Sequence, residues 1–105
     1  MANTFKSYLS GGVTTQTTVH TAPVATQTTV IGLSLANTST GVSSISVTLS
    51  RGGTAYYLIK DAAVPASETL IVVGGDQKLV MQAGDLLKVT SSGTVDVIVS
   101  VLEVT

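Results

Sequence analysis

The sequence predicts an all-β chain, an antiparallel β-sandwich of about eight strands with a jelly-roll-like arrangement preferred. Three observations lead there. Thr, Val and Ser supply 17, 16 and 12 of the 105 residues, and the β-branched pair fits a pleated surface better than a helix. Apolar residues alternate with hydroxyl residues in run after run, the period of a half-buried strand. Clusters of Gly, Pro, Asn, Asp and Ser interrupt these runs about every ten residues.

Residues 1–12 read as an N-terminal arm or a first strand, and residues 13–105 as a single sandwich domain. Asn3-Thr4-Phe5-Lys6-Ser7-Tyr8-Leu9 precedes Ser10-Gly11-Gly12, which reads as a flexible hinge. Such an arm can add to a neighbouring subunit's sheet edge, with Phe5, Tyr8 and Leu9 filling pockets. Equally, it can be the first strand of its own sheet.

Val13 to Thr21 reads as a Thr-rich strand with Val13, Thr15, Thr17, Val19 and Thr21 on one side, broken by Ala22-Pro23-Val24-Ala25. Thr29 to Asn37 follows, with Ile31, Leu33 and Leu35 inward and Val30, Gly32, Ser34 and Ala36 on the other face. Asn37 to Gly41 is a turn cluster. Ile45, Val47 and Leu49 then alternate with Ser44, Ser46, Thr48 and Ser50, giving a strand with a hydroxyl outer face. Arg51-Gly52-Gly53-Thr54 makes a tight hairpin into Ala55 to Lys60, which carries Tyr56 and Tyr57. After Pro65, Glu68 to Val73 places Leu70 and Val72 on one side and Ile71 and Val73 on the other. Gly74-Gly75-Asp76 turns into Gln77 to Gln82, and Ala83-Gly84-Asp85 turns into Leu86 to Ser91. The last strand, Val95 to Val104, has Val95, Val97, Val99 and Val101 on one face and Ile98, Leu102 and Val104 on the other. A strand apolar on both faces is central, or covered by a partner.

Composition also limits function. Charged residues make up 10% of the chain, with a formal net charge of −1, and the mean hydropathy is +0.50. That argues against a nucleic-acid partner, which draws on a basic patch. Without Cys, disulfide frameworks and thiol chemistry are excluded. No apolar run approaches 18 residues, so no membrane span is expected, and the opening lacks the apolar stretch of a signal peptide. A solitary sandwich blunts its sheet edges with charge, especially Lys. This chain spends hydroxyls there instead, so much of its surface is expected to be covered by other subunits.

Candidate chemistry is sparse. His20 is the only imidazole; a catalytic His needs an orienting carboxylate and a nucleophile, and His20 reads as surface decoration at a strand end. Asp61, Glu68, Asp76, Asp85, Asp96 and Glu103 are scattered singly, unlike the oxygen clusters of a calcium loop. Arg51-Gly52-Gly53 reads as a hairpin rather than an RNA-binding repeat, and Asn37-Thr38-Ser39 as a turn rather than a glycosylation site. No catalytic residue, cofactor or metal ligand is expected. The expected interface residues are Phe5, Lys6, Tyr8, Leu9, Tyr56 and Tyr57, the aromatics as anchors.

Arg51 to Lys60, Val64-Pro65-Ala66, Leu70-Ile71-Val72-Val73, Gln82 to Ser91 and Val95 to Glu103, with the early Phe5-Lys6, the Thr-rich strand and the Ala22-Pro23 break, carry a resemblance over most of the chain. The chain resembles the small all-β virion structural proteins of tailed bacteriophages, including cyanobacterial and marine phages. The resemblance implies a head-decoration (cement) protein on the capsid surface, assembled in the bacterial host cytoplasm. Its partners would be the major capsid protein and copies of itself, a trimer being favoured. A neck, collar or tail-spike subunit is the alternative, and a host-glycan binding module a more distant one.

Overall fold

The computed structural model describes residues 3–74 and 77–105, so the turn expected at Gly74-Gly75-Asp76 lies partly outside the described residues. Nine strands form: β1 (Asn3–Val13), β2 (Thr17–Thr21), β3 (Gln27–Asn37), β4 (Ser43–Arg51), β5 (Thr54–Val64), β6 (Thr69–Val73), β7 (Leu79–Met81), β8 (Leu86–Ser91) and β9 (Val95–Val104). They build two antiparallel sheets. One runs β1-β9-β3-β6, with β7 continuing along the edge of β3; the other runs β2-β8-β4-β5.

The pairings are nested. The β4–β5 hairpin is the closed end, and β3–β6, β2–β8 and β1–β9 follow outward along the chain. This long double ribbon then folds over itself, joining β3 to β9 and β4 to β8. A rolled ribbon of four nested pairs is the jelly roll, with β7 as a short addition. At the closed end Arg51 pairs with Thr54 across Gly52 and Gly53, whose φ values are +60° and +82°. Two successive positive φ angles make the type I′ hairpin, which glycine adopts without strain.

The core lies between the sheets, where Val30, Leu33, Leu35, Ile45, Val47, Leu87, Val89, Val97, Val99 and Val101 are almost completely buried. No aromatic residue joins its buried cluster. Aliphatic side chains from the two inner faces fill the gap of about 10 Å, and Tyr8 packs against them.

Three register shifts and one divided run overturn four of the expected strand readings. Between Val30 and Gly32 the β3–β9 register shifts, so Val30 is fully buried and Ile31 only partly. One extra residue reverses every facing before it. A shift between Leu33 and Ser34 opposite β6 likewise sends Leu70 and Val73 inward and Ile71 outward. The Val13-to-Thr21 run is two strands in different sheets, separated by residues 14–16. Finally, a shift between Thr18 and His20 buries both Val19 and His20; His20 is not surface decoration.

At the far end of β3, Asn37 is 2% exposed. Its Nδ2 donates to the carbonyls of Gly41, Val64 and Pro65 at 2.9, 2.8 and 3.2 Å. Its Oδ1 accepts from the Ser39 N–H, Ser39 Oγ and Ser43 Oγ at 2.9, 2.6 and 3.2 Å. One amide therefore ties the β3–β4 turn to the β5–β6 connection.

Candidate functional site

The outward face of the β1-β9-β3-β6/β7 sheet is the most distinctive surface of the molecule. Antiparallel register arranges its side chains in rows across the strands. Phe5, Leu102, Thr29 and Val80 form one row. Leu9, Ile98, Ser34 and Ile71 form another. Between them runs a low row of Ser7, Ser100 and Gly32. Phe5 and Leu9 are 72% and 73% exposed, and Ile71, Val80 and Ile98 are also open to solvent. Among the described strand residues that point outward here, Asp96 is the ionisable one, set at one end, where its Oδ1 accepts the Gly12 N–H at 2.9 Å.

The opposite outer face has different chemistry. Thr18, Lys88, Thr48 and Tyr57 share a row, and Thr21, Leu86, Ser50 and Ala55 the next. Asp61 sits at a bulge on β5 with φ +52°, its N–H donating to Ser46 Oγ at 3.0 Å. This face is hydroxyl-rich and carries charge of both signs.

The six expected interface residues fall into three groups. Strand alternation separates those of β1: Phe5 and Leu9 point outward, whereas Lys6 and Tyr8 oppose the inward-facing Val101 and Val99. Tyr56 and Tyr57 lie on β5 at the far edge of the other sheet, both more than half exposed. Lys60 Nζ stands 5.2 Å from the Tyr57 ring centroid, a cation–π distance, and Tyr56 flanks a shallow depression with Leu49 and Arg51. The sequence reading missed Ile71 and Val80. Their signal was faint, because each sits in a short strand whose facing depends on register.

Lys6 and Tyr8 join a polar cluster around the buried Glu103. Glu103 is 4% exposed. It accepts the Tyr8 hydroxyl at 2.6 Å on Oε2 and pairs with Lys6 Nζ at 3.2 Å through Oε1. The Tyr8 and His20 ring centroids are 4.3 Å apart. Donation to the Glu103 carboxylate, helped by burial, pushes the Tyr8 hydroxyl up to about 12. The same bond holds Glu103 below the usual carboxylate range, against the upward push of burial and with further help from Lys6. Burial pushes His20 down, and the Glu103 charge opposes this. Both Glu103 oxygens are engaged, so the cluster braces edge strand β1 onto β9. A second brace is Arg51, whose Nε and Nη2 reach the Asp85 carboxylate at 2.9 and 2.6 Å. Asp85 also accepts the Gln82 N–H at 2.9 Å. Its carboxyl is held below its ordinary value, first by Arg51.

Among the described residues no three His, Asp or Glu side chains group as metal ligands, and no helix is long and apolar enough to cross a membrane.

No protein-family model matches the chain, and no curated protein matches it. Among solved structures the chain is similar to a protein of Bacillus endospore appendages, described as a novel family of disulfide-linked pili. That similarity has 14% identity and a TM-score of 0.54, and covers 99% of this chain and 87% of that one. A pentameric capsid protein isolated from metagenomic phage sequences is also similar, at 20% identity and a TM-score of 0.45. The match covers 90% of this chain and 59% of that one, so this chain spans less than two thirds of its length. At these identities the appendage similarity is one of fold.

Proposed function

We propose that this chain is a structural subunit of a phage particle, a decoration or cement protein that binds the major capsid protein shell as an oligomer. The observation that carries the reading is the presence of two separate exposed surfaces rich in apolar or aromatic side chains. One is the apolar face with Phe5, Leu9, Ile71, Val80 and Ile98; the other is the β5 edge with Tyr56 and Tyr57. A chain with one such patch forms a closed pair, whereas two distinct patches let a small subunit bridge several neighbours. Many weak bridges in a symmetric shell then add through avidity.

The sequence resemblance to small phage virion proteins supports the phage assignment. The shared fold of a pilus-forming protein supports assembly as the trade of this sandwich. Because this chain has no Cys, its own contacts would be non-covalent, held by burial of these neutral surfaces.

The β5 edge is assigned to the shell, since tyrosines bury large area at small entropic cost and concentrate at interfaces. The test is a titration of empty capsid shells with wild type and with the Tyr56→Ser, Tyr57→Ser double variant. Both positions are exposed, so the melting temperature should hold while shell affinity falls at least tenfold. Equal decoration by both would remove the edge from the mechanism. Densitometry of purified virions tests the location: hundreds of copies mean shell, and a few to a few dozen mean neck or tail.

A further inference from the structure

We infer that the outer face of the β1-β9-β3-β6/β7 sheet is covered by the same face of a second copy of this chain. The inference rests on the reading of the protein as an assembling subunit and names what one of its two surfaces meets.

Relief is the first argument. The Phe5-Leu102-Thr29-Val80 and Leu9-Ile98-Ser34-Ile71 rows stand on either side of the Ser7-Ser100-Gly32 row. Alternate residues on a strand are ~6.7 Å apart, so the two apolar rows lie ~13 Å apart with a channel between them. The channel is low over the small residues Ser7, Ser100 and Gly32, with the β3 bulge residue Ile31 beside it; a Cβ placed on Gly32 would meet Ser100 Cβ at 3.8 Å, ordinary contact. A copy turned by a two-fold axis seats its Leu9–Ile98 row in this channel and accepts the same row in return. The surface is its own complement, as an isologous contact requires.

Charge is the second. Apart from Asp96 at the end of the face, the described strand positions that point outward here are uncharged, so the strand rows of two copies bring no like charges together. Packing the same face against the β2-β8-β4-β5 side would instead strip water from Lys88, Asp61 and the hydroxyl rows, which costs free energy.

Area is the third. Four strand widths of ~4.8 Å and about ten residues at ~3.4 Å give roughly 650 Å² in flat projection. Side-chain relief raises the accessible area toward the ~800 Å² per partner of a standard stable interface.

Light scattering after size exclusion, across a concentration series, provides the first test. Wild type is expected at an even multiple of the chain mass, and Ile98→Lys at half the wild-type mass with an unchanged far-ultraviolet spectrum. Leu9→Ser, at a more exposed position, serves as the second variant should Ile98→Lys unfold. The natural absence of Cys allows single-cysteine reporters: Ser100→Cys is expected to be bridged to a dimer by a short bismaleimide, and Thr90→Cys, on the opposite face, not to be. A wild type monomeric at millimolar concentration, an unchanged mass for both face variants, or equal bridging at the two cysteines would overturn the inference. Shell titration separates it from the functional reading. A monomer that still decorates shells sinks the paired face alone, whereas a dimer that never binds shells sinks the decoration role alone.

Discussion

The two ends of the sandwich solve the same problem in opposite ways. Strand β3 runs from one to the other, and each end buries polar side chains. At the Asn37 end every partner is neutral, and both ends of the amide are engaged by Ser39, Ser43 and three carbonyls. At the Thr28 end the partners are ionisable: Glu103, Lys6, Tyr8 and His20. Two buried atoms there, His20 Nε2 and Thr28 Oγ1, have no protein hydrogen-bond partner among the described residues. A neutral, satisfied hub is indifferent to pH, whereas an ionisable cluster is tuned by it. The chain has a rigid end and a conditional one, and edge strand β1 is braced at the conditional one.

The largest effect is expected at the rigid end. Asn37→Ala strands buried carbonyls and hydroxyls together, and should cost about 3 kcal/mol in chemical denaturation. A loss below about 1 kcal/mol would mean the neighbouring turns rearrange to satisfy themselves. At the other end, Glu103→Gln keeps the shape but loses a charge-assisted bond, at a cost of about 2 kcal/mol. Lys6 adds little to that figure, because its side chain is half exposed. If Glu103→Gln costs as much as Asn37→Ala, the contrast between the ends is one of chemistry only.

Much of this architecture was legible beforehand. Alternation at Ile45, Val47 and Leu49, the glycine hairpin at Gly52 and Gly53, and the two-sided last strand all follow from periods and turn chemistry. The two-sided apolar pattern that includes Ile98 marked that strand as central or covered, and β9 does lie between β1 and β3. Bulges were not legible. A period of two carries no mark of where one residue is inserted, so Val30 and Ile31 exchanged facings and His20 went inside. Nor could spacing foretell the cluster, since Tyr8 and Glu103 stand 95 positions apart and meet only because β1 lies beside β9. Asn37 looked like any turn residue, as part of its hub comes from the distant β5–β6 connection, at Val64 and Pro65.

A pH profile sharpens the contrast with a smaller effect. His20 is pushed below its ordinary 6.5. Below that pH the unfolded chain takes up a proton that the folded chain refuses, so stability falls as pH drops through 6.5 and beyond. Glu103 and Asp85 are held below their ordinary 4.5 and 3.8. Their stabilisation is present above those values and is lost as the pH falls toward the lower folded ones. Tyr8, raised from 10.0 to about 12, contributes fully below 10 and loses its contribution as pH climbs toward 12. The melting temperature should form a plateau between about 6.5 and 10 with a shoulder on each side. His20→Leu should remove the shoulder just below 6.5, and Tyr8→Phe the alkaline one. Asn37→Ala should lower the whole curve without changing its shape. A curve of altered shape in that variant would show that the two ends are coupled through β3.

The smallest effect is the most diagnostic. Thr28 is fully buried, pairs with Glu103 on β9 and with Met81 on β7, and its Oγ1 has no hydrogen-bond partner among the described residues. Thr28→Val replaces the hydroxyl by a methyl group of the same shape. An unpaired buried hydroxyl carries a desolvation penalty, so its removal should stabilise the fold by up to about 1 kcal/mol. Deleting a satisfied hydroxyl by Ser43→Ala or Ser39→Ala, where the hydroxyls bond Asn37, should destabilise. Opposite signs from one kind of substitution would separate the ends more cleanly than any large loss. A loss for Thr28→Val comparable to those at the hub would instead mean that a bound water completes this end, because only a satisfied hydroxyl is costly to remove. The conditional end would then be conditional through its ionisable groups alone.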